Sequence, residues 1–345
     1  MSELYDKFDK KQFKATSKYK RTSKRTLIRA EGKLPVKAEK GIVVASLARK
    51  IIVETGDNPN KIVDCTIAGA LVSANANSTV AAIGDVVWFV RGENTFTKDS
   101  NVGTIIKIEE RKNCYTRKAA SKEPYEQVIA ANIDKVLVFM SALEPAYNRR
   151  LIDRMLVAAE LNGIEPIVCV NKIDLVDIKE LSKDFDTYLK LNIGVFFTSV
   201  IFNQGVDNLY NTINKSDVLM CGPSGVGKSS FLNKVFGSEY QLVQNIAEST
   251  TKGKHTTSSS KLFKFPEGGS IIDTPGIREF GIWGLERNEL HLYFHDFDDF
   301  RLYCKYPLCT HTHEPECAII DAYENNEIDP QRYESYLNIF DSLND

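Results

Sequence analysis

No stretch of the 345 residues approaches the ~18 consecutive apolar residues of a membrane-spanning helix, and the first residues lack the apolar core of a secretory signal. A cytoplasmic protein with no membrane partner is therefore expected. Cysteine is scarce. Seven residues, an odd number, do not make a disulfide framework and suit a reducing compartment. Three of them crowd between Cys304 and Cys317, while Cys65, Cys169 and Cys221 lie in apolar runs and read as buried thiols. Nor is there a large excess of charge of one sign: 44 Lys or Arg stand against 46 Asp or Glu, a net of −2. What is abundant is apolar surface: 43% hydrophobic and 10% aromatic residues supply cores for two or three domains.

The small net charge hides an asymmetry. Residues 1–40 carry thirteen Lys or Arg against five Asp or Glu, so the arm has a surplus of eight positive charges and the remainder ten negative ones. With few large apolar residues, the arm is expected to be flexible in isolation. It suits contact with a phosphate backbone, where each neutralised phosphate releases a counterion. A solvated tail serving solubility is the plainer alternative.

From 41 to about 110, short β-rich runs at 41–45, 50–54, 61–66, 85–90 and 103–109 are separated by turn formers. Five strands with no helix between most of them predict a small barrel: an OB-fold, whose faces bind oligonucleotides, or else an SH3-like barrel. From Asp134 the pattern changes to alternating strands and helices, with one helix near 178–191 among them, which predicts an α/β layered domain with a largely parallel sheet. Ligands of such sheets sit at the carboxyl ends of the strands.

Within that part, Gly222, Pro223, Ser224, Gly225, Val226, Gly227, Lys228 and Ser229 spell G-x-x-x-x-G-K-S, with Ser230 following, between an apolar run and a helical one. This is the strand–loop–helix setting of a phosphate-binding loop. Its glycines turn backbone N–H groups toward phosphate oxygens, Lys228 reaches the β and γ phosphates, and the Ser229 hydroxyl suits Mg²⁺. At the end of the run 166–170 stand Asn171, Lys172, Ile173 and Asp174, an N-K-x-D signature. A carboxylate at Asp174 can accept from the N1–H and amino group of guanine, a donor pair that adenine lacks, as acidic side chains read base amino groups elsewhere. Lys172 would lay its stem over the base, Asn171 would tie the loops together, and Thr198 with Ser199 would line the guanine carbonyl. Downstream, Asp273, Thr274, Pro275 and Gly276 spell D-x-P-G: Asp273 can hold Mg²⁺ through a water and the Gly276 N–H can meet the γ phosphate. The polar loop 250–257 offers Thr256 or Thr257 to complete the Mg²⁺ shell.

The order is informative. In a Ras-like G domain the phosphate loop comes first and N-K-x-D near the end; here Asn171 to Ser199 precede Gly222. The domain is circularly permuted, a change that keeps every contact and moves only the chain ends.

With these motifs in this order, flanked by a barrel and a cysteine cluster, the chain resembles the ribosome small-subunit-dependent GTPase A family of bacterial circularly permuted GTPases. The resemblance covers almost the whole chain. It implies a GTPase that binds the small ribosomal subunit and its rRNA late in subunit assembly, with nucleotide-controlled release. The implied architecture is a basic arm at 1–40, an OB-fold barrel at 41–113, a permuted GTPase domain at 114–286 and a small α-helical zinc domain at 287–345, in a monomer carrying GTP or GDP, Mg²⁺ and one Zn²⁺. Three thiolates and one imidazole make a closed, structural Zn²⁺ site; the family's C-x4-C-x-H-x5-C spacing selects Cys304, Cys309, His311 and Cys317, with His313 as the alternate imidazole.

Ile277 stands where Ras-like GTPases place the glutamine that orients the attacking water, so slow turnover and a rate-enhancing partner are expected. His255, in the loop before, is a candidate for the water-orienting group. A signalling GTPase acting on proteins, and an rRNA-binding protein with GTP as a regulatory ligand, are the competing functions.

Overall fold

The computed structural model describes residues 35–47, 50–56, 61–68, 71, 78–92, 101–119, 125–237, 240, 260–274 and 280–343. They divide into two compact units, one made mainly of the chain up to Ile133 and the other mainly of the chain from Asp134.

In the first unit β1 (Glu39–Leu47), β2 (Lys50–Thr55), β3 (Ile62–Ile67), β4 (Val86–Gly92) and β5 (Val102–Ile108) fall close to the five predicted runs. Their order is β1-β2-β3-β5-β4, and β4 pairs back onto β1 to close the ring. β3 and β5 run parallel; the other ladders are antiparallel. Alternate residues point inward, so Val43, Val53, Val63, Val87, Phe89 and Ile105 fill the interior with no exposure. Of the two barrels the sequence left open, this is the OB-like one. A hairpin follows, β6 (Cys114–Lys118) with β7 (Glu126–Ala131). It falls in the same compact unit as the barrel, although the sequence division places it with the nucleotide domain. Bridges from Ser78 to Glu126 and from Ile83 to Ala130 join it to the strand-like segment before β4.

The second unit is built on β8 (Lys135–Ser141), β9 (Glu165–Asn171), β10 (Gly194–Phe197), β11 (Asp217–Cys221) and, after β12 (Lys261–Lys264), β13 (Ser270–Asp273). The order β10-β9-β8-β11-β13 is parallel throughout. These strands are nearly all apolar because helices cover both faces. Helix α1 (Arg149–Leu161) starts where the Asn148 side chain caps the Leu151 N–H. The single helix expected near 178–191 is two, α2 (Ile178–Lys183) and α3 (Asp186–Lys190), because Phe185 turns fully into the core between them. Helix α4 (Val206–Ile213) buries Val206, Leu209 and Ile213, spaced three and four apart, against the sheet. Helix α5 (Lys228–Phe236) leads out of the phosphate-loop sequence and buries Phe231 and Leu232 in the same core.

The C-terminal residues belong to this unit too. Helix α6 (Ala318–Glu324) precedes α7 (Pro330–Ser342), which opens with proline after an Asp329 cap. Helix α7 lies against α1, and charged side chains bridge the two. Arg332, 3% exposed, donates to Asp153 at 2.6 Å and to Asp296 at 2.8 Å, and its guanidinium sits 4.4 Å over the Phe294 ring. Asp153 also accepts from Tyr188 at 2.7 Å, while Arg149 and Thr187 converge on Asp329. Removing one partner of such a pair strands the others: Arg332→Met is expected to destabilise this unit by about 3–5 kcal/mol, measured as a lower denaturant midpoint.

Candidate nucleotide site and metal centre

The parallel register sets the site. Ser141 pairs with Asn171, and Val138 with Cys221, so the carboxyl ends of β8, β9 and β11 open on one edge of the sheet. The glycines of the phosphate loop answer to what lies beside them. A Cβ on Gly222 would collide with the Phe139 carbonyl of β8; one on Gly227, whose φ is +102°, would collide with the Asn171 side chain. Val226 is buried, Ser224 and Gly225 are exposed, and Pro223 is half-buried. Lys228 curls back so that its Nζ donates to the carbonyls of Gly222 and Pro223, each at 2.8 Å. Burial lowers its pKa, with the Asp273 carboxylate opposing. Ser229 and Ser230 present exposed hydroxyls in the first turn of α5, the end where the backbone dipole favours anions.

Asn171 joins this loop to the N-K-x-D side. Its Nδ2 donates to the Val226 carbonyl at 3.0 Å, and its Oδ1 accepts from the Thr198 hydroxyl at 3.1 Å and the Val200 N–H at 3.2 Å. Thr198 is fully buried, with its hydroxyl 3.3 Å from Cys169 Sγ. Asp174 is exposed and accepts from the Ser199 hydroxyl at 2.5 Å. Lys172, left-handed at φ 61°, donates its Nζ to the Glu144 carbonyl. Asp273 ends β13, in register with Met220, and accepts from the Tyr240 hydroxyl at 3.3 Å. Thr274 donates to the Met220 carbonyl at 2.8 Å and fastens the end of β13 to β11. His255, Thr256, Thr257, Gly276 and Ile277 lie outside the described residues.

In the C-terminal part Cys304, Cys309, His311 and Cys317 are all buried and bring their ligand atoms within 4.8 Å of one another. Cys304 Sγ stands 3.8 Å from Cys317 Sγ, and His311 Nδ1 stands 3.5 and 3.4 Å from these two sulfurs. With metal–sulfur bonds of about 2.3 Å, a tetrahedral ion separates two sulfurs by about 3.8 Å. The donor set and its edges thus fit a tetrahedral thiolate-preferring ion. His313 is exposed, hydrogen-bonded to Thr312 at 2.8 Å and outside the cluster. Tyr333 and Tyr336, three apart on α7, donate to the carbonyls of His311 and Thr310 at 2.8 and 2.6 Å and hold the ligand loop. The motifs passed over these tyrosines; their helical spacing beside a cysteine cluster is the only sequence signal for them.

The family model "RsgA GTPase" matches residues 108–283. The chain belongs to the RsgA GTPase family. A "Small ribosomal subunit biogenesis GTPase RsgA" of Chlorobaculum parvum is 39% identical over 310 residues, covering 88% of this chain and 98% of that protein. A protein of the same name from Klebsiella pneumoniae is 34% identical over 312 residues, covering 88% and 84%. Among solved structures, YjeQ from Thermotoga maritima superposes with a TM-score of 0.63 at 30% identity over 88% of this chain and 97% of its own. YloQ, described as a circularly permuted GTPase, has a TM-score of 0.60 at 23% identity over 90% and 97%, a likeness of fold. The protein is a GTP hydrolase of permuted architecture.

Because Asn171 spans both loops, Asn171→Ala leaves the Val226 carbonyl and the Thr198 hydroxyl without it, a loss of ~1–3 kcal/mol. The expected outcome is a GDP dissociation constant raised about 10- to 100-fold, measured by titration calorimetry, with the melting temperature lowered by a few degrees.

Proposed function

We propose that the chain hydrolyses GTP on the small ribosomal subunit during late maturation of that subunit, in the cytoplasm, as a monomer. The printed names of the relatives, small ribosomal subunit biogenesis GTPases, support the partner. The basic surplus of residues 1–40 and the OB-like barrel fit contact with rRNA. No helix among the described residues is long and apolar enough to cross a membrane.

In this reading Gly222 to Ser230 cradle the phosphates, Lys228 meets the β and γ oxygens, and Asp174 reads the guanine edge with Lys172, Thr198 and Ser199 around the base. Ser229, Asp273 and Thr256 or Thr257 would hold Mg²⁺, which neutralises phosphate charge when bound. Gly276 would sense the γ phosphate. The observation that carries the proposal is the Asn171 amide, which makes a phosphate loop and a guanine motif one site. Cys304, Cys309, His311 and Cys317 would hold one Zn²⁺ as a structural ion, since four protein ligands leave no position for water.

Ile277 has no hydrogen-bonding side chain with which to orient water. Turnover by the free protein is expected to be slow, rising by about 10³ to 10⁵ with purified small subunits, the span an external group supplies in other GTPases. His255→Ala should remove most of that rise and leave GDP binding intact. Equal turnover with and without subunits contradicts the partner; an unchanged rise in the variant removes His255 from the mechanism. For the metal, elemental analysis should find one zinc per chain. Zinc-finger peptides gain an apparent ~10–16 kcal/mol from their ion, so chelation should expose residues 304–317 to protease while GDP still binds.

A further inference from the structure

The loop that leaves β8, residues 142–148, carries none of the nucleotide motifs, yet it touches both halves of the site. Ser141, fully buried at the end of β8, donates its hydroxyl to the Pro145 carbonyl at 2.6 Å and so draws the loop into a tight return. The Ala142 N–H donates to the Asn171 carbonyl at 2.7 Å, which fastens the start of the loop to the N-K-x-D strand. At the apex Glu144 is left-handed, with φ 54°, a conformation that a non-glycine residue holds only where its surroundings impose it. Its carbonyl accepts the Nζ of Lys172. The Pro145 ring faces the phosphate loop: a Cβ placed on Gly225 would lie 3.5 Å from Pro145 Cδ, an ordinary van der Waals contact.

We infer that residues 141–145 form a third wall of the nucleotide pocket, and that Ser141 is a positioning residue for Lys172: by fixing the Glu144 carbonyl, it holds the lysine stem where the guanine plane will lie. This rests on the proposal above that Lys172 packs over the base. The physical gain is preorganisation. A lysine stem is rich in rotamers, and a free one must be ordered when ligand binds. Tethered at its ammonium beforehand, it is already ordered, and the ligand is held longer. The effect belongs in the dissociation rate, where most affinity differences within one site reside.

The test is a double-mutant cycle on the full chain, with Ser141→Ala, Lys172→Ala and the combination, read as the dissociation rate of a fluorescent GDP analogue in stopped flow. Lys172→Ala should speed dissociation. Ser141→Ala should speed it about two- to tenfold, the effect of one hydrogen bond, in the presence of Lys172 and leave it unchanged in the Lys172→Ala background, since residues acting through one another are non-additive. If Ser141→Ala leaves the rate unchanged, or speeds it by the same factor whether or not Lys172 is present, the positioning role is wrong while the role of Lys172 stands. If Lys172→Ala itself leaves the rate unchanged, the reading of Lys172 fails, and the inference fails with it.

Discussion

One planar amide, the side chain of Asn171, fixes the geometry on which the nucleotide site depends. Its nitrogen faces the Val226 carbonyl, while its oxygen faces a hydroxyl and an N–H. A flipped amide would set oxygen against a carbonyl and nitrogen against an N–H, so only one orientation satisfies all three partners. The constraint propagates outward. Gly227 must lack a side chain because Asn171 occupies that space, and the parallel pairing of β8 with β9 delivers Asn171 to the mouth of the phosphate loop. Sequence order is irrelevant to this arrangement. What matters is that β11 lies beside β8 and β8 beside β9, and a chain that visits β9 before β11 builds the same corner as one that visits it last.

The C-terminal part depends on a different kind of interaction. Its four candidate ligand residues bring their donor atoms within 4.8 Å of one another, and two tyrosine hydroxyls from α7 bond the loop that carries His311. The same helix meets α1 through Arg332 and Asp153, with Asp296 of the preceding turn on the same guanidinium, and nearly all the surface of these three side chains is buried. Buried charges are weak evidence of net stability, but they tolerate one geometry only. The segment after Asp273 therefore ends in a module whose seat on α1 is fixed, directly downstream in the chain from the D-x-P-G sequence.

Much of this was legible beforehand, for a reason that differs by element. The phosphate loop, N-K-x-D and the cysteine cluster are local: each places its groups through a few consecutive backbone angles, so spacing alone carries the geometry. The barrel strands were readable from alternation, and the closing β1–β4 ladder then chose the barrel type. The Arg332 cluster was not readable, since its partners lie 179 and 36 residues away and no pattern announces a pairing at such distances. The break between α2 and α3 was missed because Phe185 continues the apolar spacing of a helix while its backbone leaves it. The 114–131 hairpin falls inside the 114–286 division read from the sequence; its bridges to residues 78–83 group it with the barrel.

The central claim is that motifs in reversed order assemble one site for guanine nucleotide. It is tested most directly by equilibrium binding of GDP, ADP and xanthosine diphosphate to the full chain and to Asp174→Asn. Xanthine presents a carbonyl where guanine has its amino group, so a carboxylate suits guanine and an amide suits xanthine. The account predicts that the unaltered chain takes GDP over ADP and that Asp174→Asn shifts preference to xanthosine diphosphate, with phosphate-loop contacts unchanged. Tight binding of ADP by the unaltered chain, or a preference for GDP that survives the substitution, would contradict it.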